Sequence, residues 1–142
     1  MNKKIKILHL EDNPSDAALV ARALEKGKIN SEIFVVNGKV QFIKALKDFR
    51  YDVILSDHSL PSFNSHEALQ LVKKAGITVP FILVTGTMTD EFAVKAMKEG
   101  VSDYILKYHL ERLPLTVINS IEKSRLDNEH QAAHERLSLI HI

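Results

Sequence analysis

Short apolar runs alternate with longer amphipathic stretches along most of the chain. The runs I-K-I-L, V-I-L, F-I-L-V and Y-I-L are nearly continuous, which is typical of parallel strands covered on both faces. The pattern predicts five strands, over residues 5–10, 32–36, 52–56, 81–84 and 102–106. Apolar residues at helical spacing predict intervening helices over residues 15–26, 40–49, 65–74 and 89–99, and a last helix that begins near Pro114.

Five strand–helix units in series indicate an α/β protein with a doubly wound parallel sheet. For five strands we expect the order 2-1-3-4-5, which is the flavodoxin-like (βα)5 arrangement. In such a sheet, ligands bind beyond the carboxyl ends of the strands, near the point where strand order reverses. The residues that follow each strand are therefore the place to look for a functional site.

Composition narrows the class of protein. With 142 residues, of which 45% are hydrophobic and 26% charged, the chain can bury one full core. A net charge of +1 without a dense Lys/Arg run predicts no nucleic-acid partner. The absence of cysteine excludes disulfides and thiolate metal sites. No segment approaches the roughly 20 apolar residues of a membrane span, and the apolar start is too short for a signal peptide, so we expect a cytoplasmic protein.

The end of the chain departs from the strand–helix pattern. Its composition still favours a helix, and five positions follow an alternating spacing of four and three: Leu126, His130, Ala133, Leu137 and Ile140. This spacing fits a coiled-coil seam, but it also fits a last helix that simply overruns the domain. We predict a domain over residues 1–126 and a helical extension over residues 127–142, a candidate linker to a further domain.

Polar side chains collect where the predicted strands end. Glu11 and Asp12 follow the first strand, Asp57 the third, Thr85 the fourth and Lys107 the fifth. Each has a simple structural explanation, such as a helix cap for Asp12 or a turn for Asp57. In the order 2-1-3-4-5, however, these strand ends are neighbours. The five side chains are therefore expected to converge.

Three carboxylates placed together repel one another unless a cation is present. Mg²⁺ suits them, because it prefers oxygen ligands and is usually held by one or two carboxylates, waters and a phosphate. Adding one phosphoryl group completes a site in which Asp57 is the nucleophile that forms an acyl phosphate. Glu11 and Asp12 are the expected metal ligands. Lys107 and the Thr85 hydroxyl are the expected ligands of the phosphoryl oxygens.

At these residues the sequence resembles the receiver domain of two-component response regulators, over about residues 3–126. Four segments carry the resemblance: the pair Glu11-Asp12, the segment Asp57-x-x-Leu60-Pro61, Thr85 before the small Gly86, and the block E-G-V-S-D-Y-I-L-K that ends at Lys107. The resemblance implies a signalling domain rather than an enzyme with a separate substrate. Such a domain would accept a phosphoryl group on Asp57 from a histidine kinase or phosphotransfer protein. The resemblance also implies Mg²⁺ as cofactor and the backbone carbonyl of Ser59 as a third protein ligand of the metal.

The resemblance further implies a conformational switch. Phosphorylation draws Thr85 toward the phosphate, and Tyr104 then turns inward. This repacks the face built from the fourth helix, the fifth strand and the fifth helix, through which a homodimer could form.

Three positions differ from the usual pattern of the family. Tyr108 follows Lys107 where a proline with a cis bond is usual, which leaves the geometry of the loop 107–110 open. Ser65 replaces a common glycine. His58, beside the acceptor, is polar where relatives are commonly apolar; it either tunes dephosphorylation or donor choice or, as we expect, is exposed and inert.

Three other functions compete with this interpretation. An aspartate-nucleophile phosphatase usually has a second acid two residues after the nucleophile, and this chain has Ser59 there. A flavin carrier would bind its phosphate after the first strand, where Glu11 and Asp12 would repel it. A receiver that signals by binding alone would not need the complete residue set.

Overall fold

A computed structural model describes residues 3–58 and 63–140, with side chains described as far as residue 129. Its centre is a five-stranded parallel sheet in the order β2-β1-β3-β4-β5. The strands are β1 (Ile5–Leu10), β2 (Ser31–Val36), β3 (Val53–Ser56), β4 (Phe81–Thr85) and β5 (Asp103–Leu106). The predicted fold class and strand order are confirmed.

Helices connect the strands and cover both faces of the sheet. They are α1 (Pro14–Lys26), α2 (Lys39–Lys47), α3 (Ser65–Lys74), α4 (Asp90–Glu99) and α5 (Leu113–Ile140). The side chains of Asn13, Asn64 and Thr89 cap α1, α3 and α4 by accepting hydrogen bonds from the first-turn N–H groups. Gly100 ends α4 in the left-handed region at φ 115°, which favours glycine.

The core lies in two layers, one on each side of the sheet. Residues of α1 and α5 pack on one face with alternate strand residues, among them Ile7, Leu55 and Ile82. Residues of α2, α3 and α4 pack on the other face with Leu8, Ile54 and Leu83. Because β1, β3 and β4 are buried on both faces, their ends are held rigidly.

One segment differs from the expected pattern. Lys107–Arg112 forms a 3-10 turn between β5 and α5, which periodicity did not predict. No cis peptide bond occurs in residues 3–58 and 63–140, so Tyr108 follows Lys107 through a trans bond. The loop 107–110 therefore forms without the cis bond that is usual in the family.

The backbone of α5 continues past residue 126 without interruption. Leu126 is 51% exposed, while the other four side chains of the possible coiled-coil seam lie outside the described residues. The seam and the division at residue 126 both stay predictions. In the two described ranges, no helix is long and apolar enough to cross a membrane.

Candidate functional site

The register of the sheet brings the polar residues to one edge. Leu10 pairs with Ser56, so Glu11 and Asp57 leave β1 and β3 side by side. The N–H of Asp57 donates to the Leu10 carbonyl at 3.0 Å. Thr85 pairs with Leu106, the residue before Lys107. The apolar strands thus deliver these side chains to one place.

Three carboxylates meet at this edge. One oxygen from each of Glu11, Asp12 and Asp57 lies within 4.8 Å of the other two. Glu11 and Asp57 are buried, with 2% and 8% of their surface exposed, while Asp12 is exposed. Asn13, rather than Asp12, caps α1, so the Asp12 carboxylate is not used by the helix. The group is closed on its inner side and open to solvent on its outer side.

The donor set fits a hard divalent cation. The buried Oε1 of Glu11 has no hydrogen-bond partner among the described residues, although Lys107 Nζ lies 3.0 Å from it. Mg²⁺ prefers oxygen ligands and is usually held by one or two carboxylates, and this set offers oxygen ligands, two of them on buried carboxylates. Ser59, whose carbonyl the family resemblance adds to this set, lies outside the described residues.

Lys107 lies at the centre of the carboxylates. Its Nζ is 2.6 Å from Asp16 Oδ2, 3.0 Å from Glu11 Oε1 and 3.3 Å from Asp57 Oδ2. Burial alone would lower the pKa of Lys107, but its contacts with Asp16, Glu11 and Asp57 outweigh burial and raise this pKa above its ordinary value. Lys107 is therefore a permanent cation beside the proposed nucleophile.

Asp16 is the site residue that sequence reasoning missed. It lies in the first turn of α1, four residues after Asp12, which precedes the Asn13 cap of that helix. That spacing was the available signal. Whether Asp16 reaches the site depends on how α1 is rotated about its axis against the sheet. Sequence periodicity does not define that rotation to within one residue.

Burial changes the charge of Glu11. Burial, and to a lesser degree the nearby Asp57, raise the pKa of Glu11 to about 7 against the contact and charge of Lys107, which lower it. Near neutral pH the metal-free site therefore holds a proton that a divalent cation would have to displace.

Thr85 and Tyr104, the predicted switch residues, form no hydrogen bond with the described carboxylates of the site. Thr85 is buried at the end of β4, and its hydroxyl donates to the Thr87 carbonyl at 3.2 Å. Tyr104 is 37% exposed on β5. Within the described part of the chain, neither side chain forms a hydrogen bond with Asp57.

We expected His58 to be exposed, and this was wrong; that it is inert stays a prediction. It is half-buried, its Nδ1 lies 2.8 Å from the Ser65 hydroxyl, and its ring centroid lies 4.3 Å from that of Phe92. The expectation was wrong because Ser65, in place of the common glycine, supplies a partner at the start of α3. His58 thus connects the acceptor segment to α3 and α4.

His9 is a buried polar residue near the carboxyl end of β1. It has no exposed surface, and neither ring nitrogen has a hydrogen-bond partner among the residues described. Burial, with the charge of Lys107 as a second cause against that of Asp16, lowers the pKa of His9 to about 4. The ring is therefore neutral at pH 7.

His9→Leu is expected to raise the free energy of unfolding by about 1–3 kcal/mol, because it removes a buried polar group without partners. The difference in unfolding free energy between His9→Leu and the parent should widen as pH falls from about 6.5 toward 4. In that range His9 takes up a proton in the unfolded parent but not in the folded parent. Urea unfolding of both proteins at pH 7.5 and pH 5.5 measures this. A variant less stable than the parent at both values would show that His9 has a favourable partner.

Comparison with known proteins agrees with this geometry. The response regulator receiver domain family matches residues 7–117. The luminescence regulatory protein LuxO of Vibrio campbellii is 34% identical over 122 residues, which are 84% of this chain and 26% of that protein. The sensor histidine kinase RcsC of Escherichia coli is 26% identical over 106 residues, which are 75% of this chain and 11% of that kinase. The chain thus spans about a quarter or less of the length of these relatives.

Among solved structures, the signal receiver domain of a putative LuxO repressor protein from Vibrio parahaemolyticus superposes with a TM-score of 0.79 at 21% identity. The superposition covers 89% of this chain and 96% of that domain, and it shows the shared fold. Together with the family match across residues 7–117, this shows that the chain belongs to the receiver domain family of two-component response regulators.

Proposed function

We propose that this receiver domain accepts a phosphoryl group on Asp57 from the phosphohistidine of a histidine kinase or phosphotransfer protein, with Mg²⁺ as cofactor. The single observation that carries the proposal is the ammonium of Lys107, 3.3 Å from Asp57 and 3.0 Å from Glu11. It lies beside three carboxylates whose oxygens are within 4.8 Å of one another. A cation so placed can bind a phosphoryl group that arrives at Asp57.

The transfer needs one bond to form and one to break. An oxygen of the Asp57 carboxylate attacks phosphorus, the P–N bond to the donor imidazole breaks, and the imidazole keeps the electron pair and takes up a proton. The strand β3 holds Asp57 rigidly, and Lys107 neutralises part of the negative charge that gathers on the phosphoryl oxygens. The chain thus assists its own phosphorylation, and later its hydrolysis, without a separate substrate.

Glu11, Asp12 and Asp57 would hold the metal, with the carbonyl of Ser59 as the remaining protein ligand. When bound, Mg²⁺ would supply positive charge to the phosphoryl oxygens and offset the repulsion between the carboxylates. The buried Glu11 oxygen without a hydrogen bond supports this assignment.

We further propose that Thr85 and Tyr104 transmit the change. The Thr85 hydroxyl would exchange the Thr87 carbonyl for a phosphoryl oxygen, and Tyr104 would turn from its half-exposed position into the space released. The face of α4, β5 and α5 would then present a different surface to a partner or a second copy. Val94 on α4 and Ile118 on α5 are exposed apolar side chains, which supports an interaction role for these helices.

The wider organisation is also a proposal. Residues 1–126 would form the receiver and residues 127–142 a helical extension that leads to a further domain, in a cytoplasmic protein. What supports this is the helix α5, which runs from Leu113 to Ile140, and the greater length of the relatives.

The proposal predicts that phosphoramidate with MgCl₂ adds one phosphoryl group to the parent, seen by intact-protein mass spectrometry. Asp57→Asn should gain none, because an amide is not a nucleophile of this kind. Asp48→Asn, on a side chain that is 82% exposed, is the matched control and should behave as the parent. A parent that stays unmodified, or an Asp57→Asn protein that is modified in an Mg²⁺-dependent way, would refute the mechanism.

A further inference from the structure

Asp16 makes the shortest of the three carboxylate contacts to Lys107, at 2.6 Å against 3.0 Å for Glu11 and 3.3 Å for Asp57. The proposed phosphoryl transfer gives it no role. Glu11 and Asp57 come from the ends of strands, whereas Asp16 comes from the first turn of α1. The ammonium is therefore shared between the metal site and a helix outside it.

This sharing divides a limited number of donors. A lysine ammonium has three N–H groups, one for each of the three carboxylates around it, so without Asp16 the N–H that it now occupies would be available to Glu11 or Asp57. The Lys107 and Asp16 side chains are 23% and 30% exposed, so solvent screens their pair less than it screens a fully exposed pair. Asp16 is thus an effective competitor for the ammonium.

The competition matters for the metal. Glu11 and Asp57 are two of the three carboxylates that would hold Mg²⁺, and an ammonium bound to them opposes the arrival of a second cation. We propose that Asp16 is a positioning residue that draws the Lys107 ammonium away from Glu11 and Asp57 and so keeps these carboxylates open to Mg²⁺. This inference rests on the proposed function.

Asp16→Asn is the variant that tests it. The ammonium loses its nearest partner and shifts on to Glu11 and Asp57, so the Kd for Mg²⁺ should rise by about 3- to 10-fold, as expected for side chains in one ion-pair network. Calorimetric titration of the metal-free protein with MgCl₂ at pH 8 measures this without any phosphorylation. Asp16→Glu keeps the charge and should stay within about twofold of the parent.

A double-mutant cycle separates action through Lys107 from the charge of Asp16 itself. In the Lys107→Ala background no ammonium is left to reposition, so adding Asp16→Asn should change the Kd by less than about twofold. Glu25→Gln removes an exposed carboxylate from the same helix and should leave the Kd unchanged.

The outcomes are distinct. If the parent itself binds no Mg²⁺, the proposed function fails and this inference fails with it. If the parent binds but Asp16→Asn binds equally well, only the inference is overturned. Equal weakening by Asp16→Asn with and without Lys107 would also overturn it, since Asp16 would then act by its own charge.

Discussion

The Lys107→Ala variant is expected to take up a phosphoryl group from phosphoramidate at least about 100-fold more slowly than the parent, at saturating Mg²⁺. The reason is that Lys107 Nζ lies 3.3 Å from Asp57, close to the position where negative charge develops. Removing one such pre-positioned donor commonly costs this much in rate. The measurement is the time course of the intact mass after mixing with donor and MgCl₂.

Two controls make the result specific. Lys44→Ala removes an exposed lysine from α2 and should react at the parent's rate. Mg²⁺ binding by Lys107→Ala should be retained or tightened, because the competing ammonium is gone. A rate within about threefold of the parent, in a folded protein that binds Mg²⁺, would remove Lys107 from the phosphoryl site.

Glu11→Gln is expected to weaken Mg²⁺ binding at pH 8 by about 100-fold. Loss of a residue that only hydrogen-bonds to a metal ligand can cost up to about this much, and Glu11 is itself a proposed ligand. It replaces a buried carboxylate by an amide of the same shape, so the fold should survive while one charged ligand is lost. Calorimetric titration with MgCl₂ measures the change. Glu25→Gln, on the exposed side of α1, is again the matched control.

The same variant should remove a pH dependence. In the metal-free parent the pKa of Glu11 is raised to about 7, so below this pH Mg²⁺ must displace a proton. The parent's affinity should rise as pH increases from 6 to 7 and level off above that range. In Glu11→Gln this rise should disappear; a parent and variant with the same pH profile would mean that Glu11 is not the group that Mg²⁺ deprotonates.

Much of the fold could be predicted from the sequence because the apolar runs are short and nearly continuous. Such runs are typical of strands covered on both faces, as β1, β3 and β4 are, and five units in series favoured the order 2-1-3-4-5 among the common choices. The gathering of Glu11, Asp57 and Lys107 followed from the same reasoning, since parallel strands end at one edge.

The parts that were missed depend on tertiary contacts. Lys6 and His9 interrupt the same apolar run, yet Lys6 is exposed and His9 is fully buried. The position of each residue along β1 in the folded protein, not its hydropathy, determines its burial. His58 is half-buried because Ser65 and Phe92 reach it from two helices. Asp16 joined the site because of the rotation of α1. Of these relations, only the four-residue spacing of Asp12 and Asp16 left a signal along the chain, and it does not define the rotation of α1.

The central claim is that Asp57, among four neighbouring carboxylates, is the one that forms an acyl phosphate. Borohydride reduces an acyl phosphate of aspartate to homoserine, so brief phosphorylation with Mg²⁺ followed by borohydride and peptide mass mapping locates the modified residue directly. The account predicts homoserine at position 57 in the parent and none when MgCl₂ is replaced by EDTA. Reduction at Asp12 or Asp16, or at Glu11 as the corresponding longer alcohol, would contradict it.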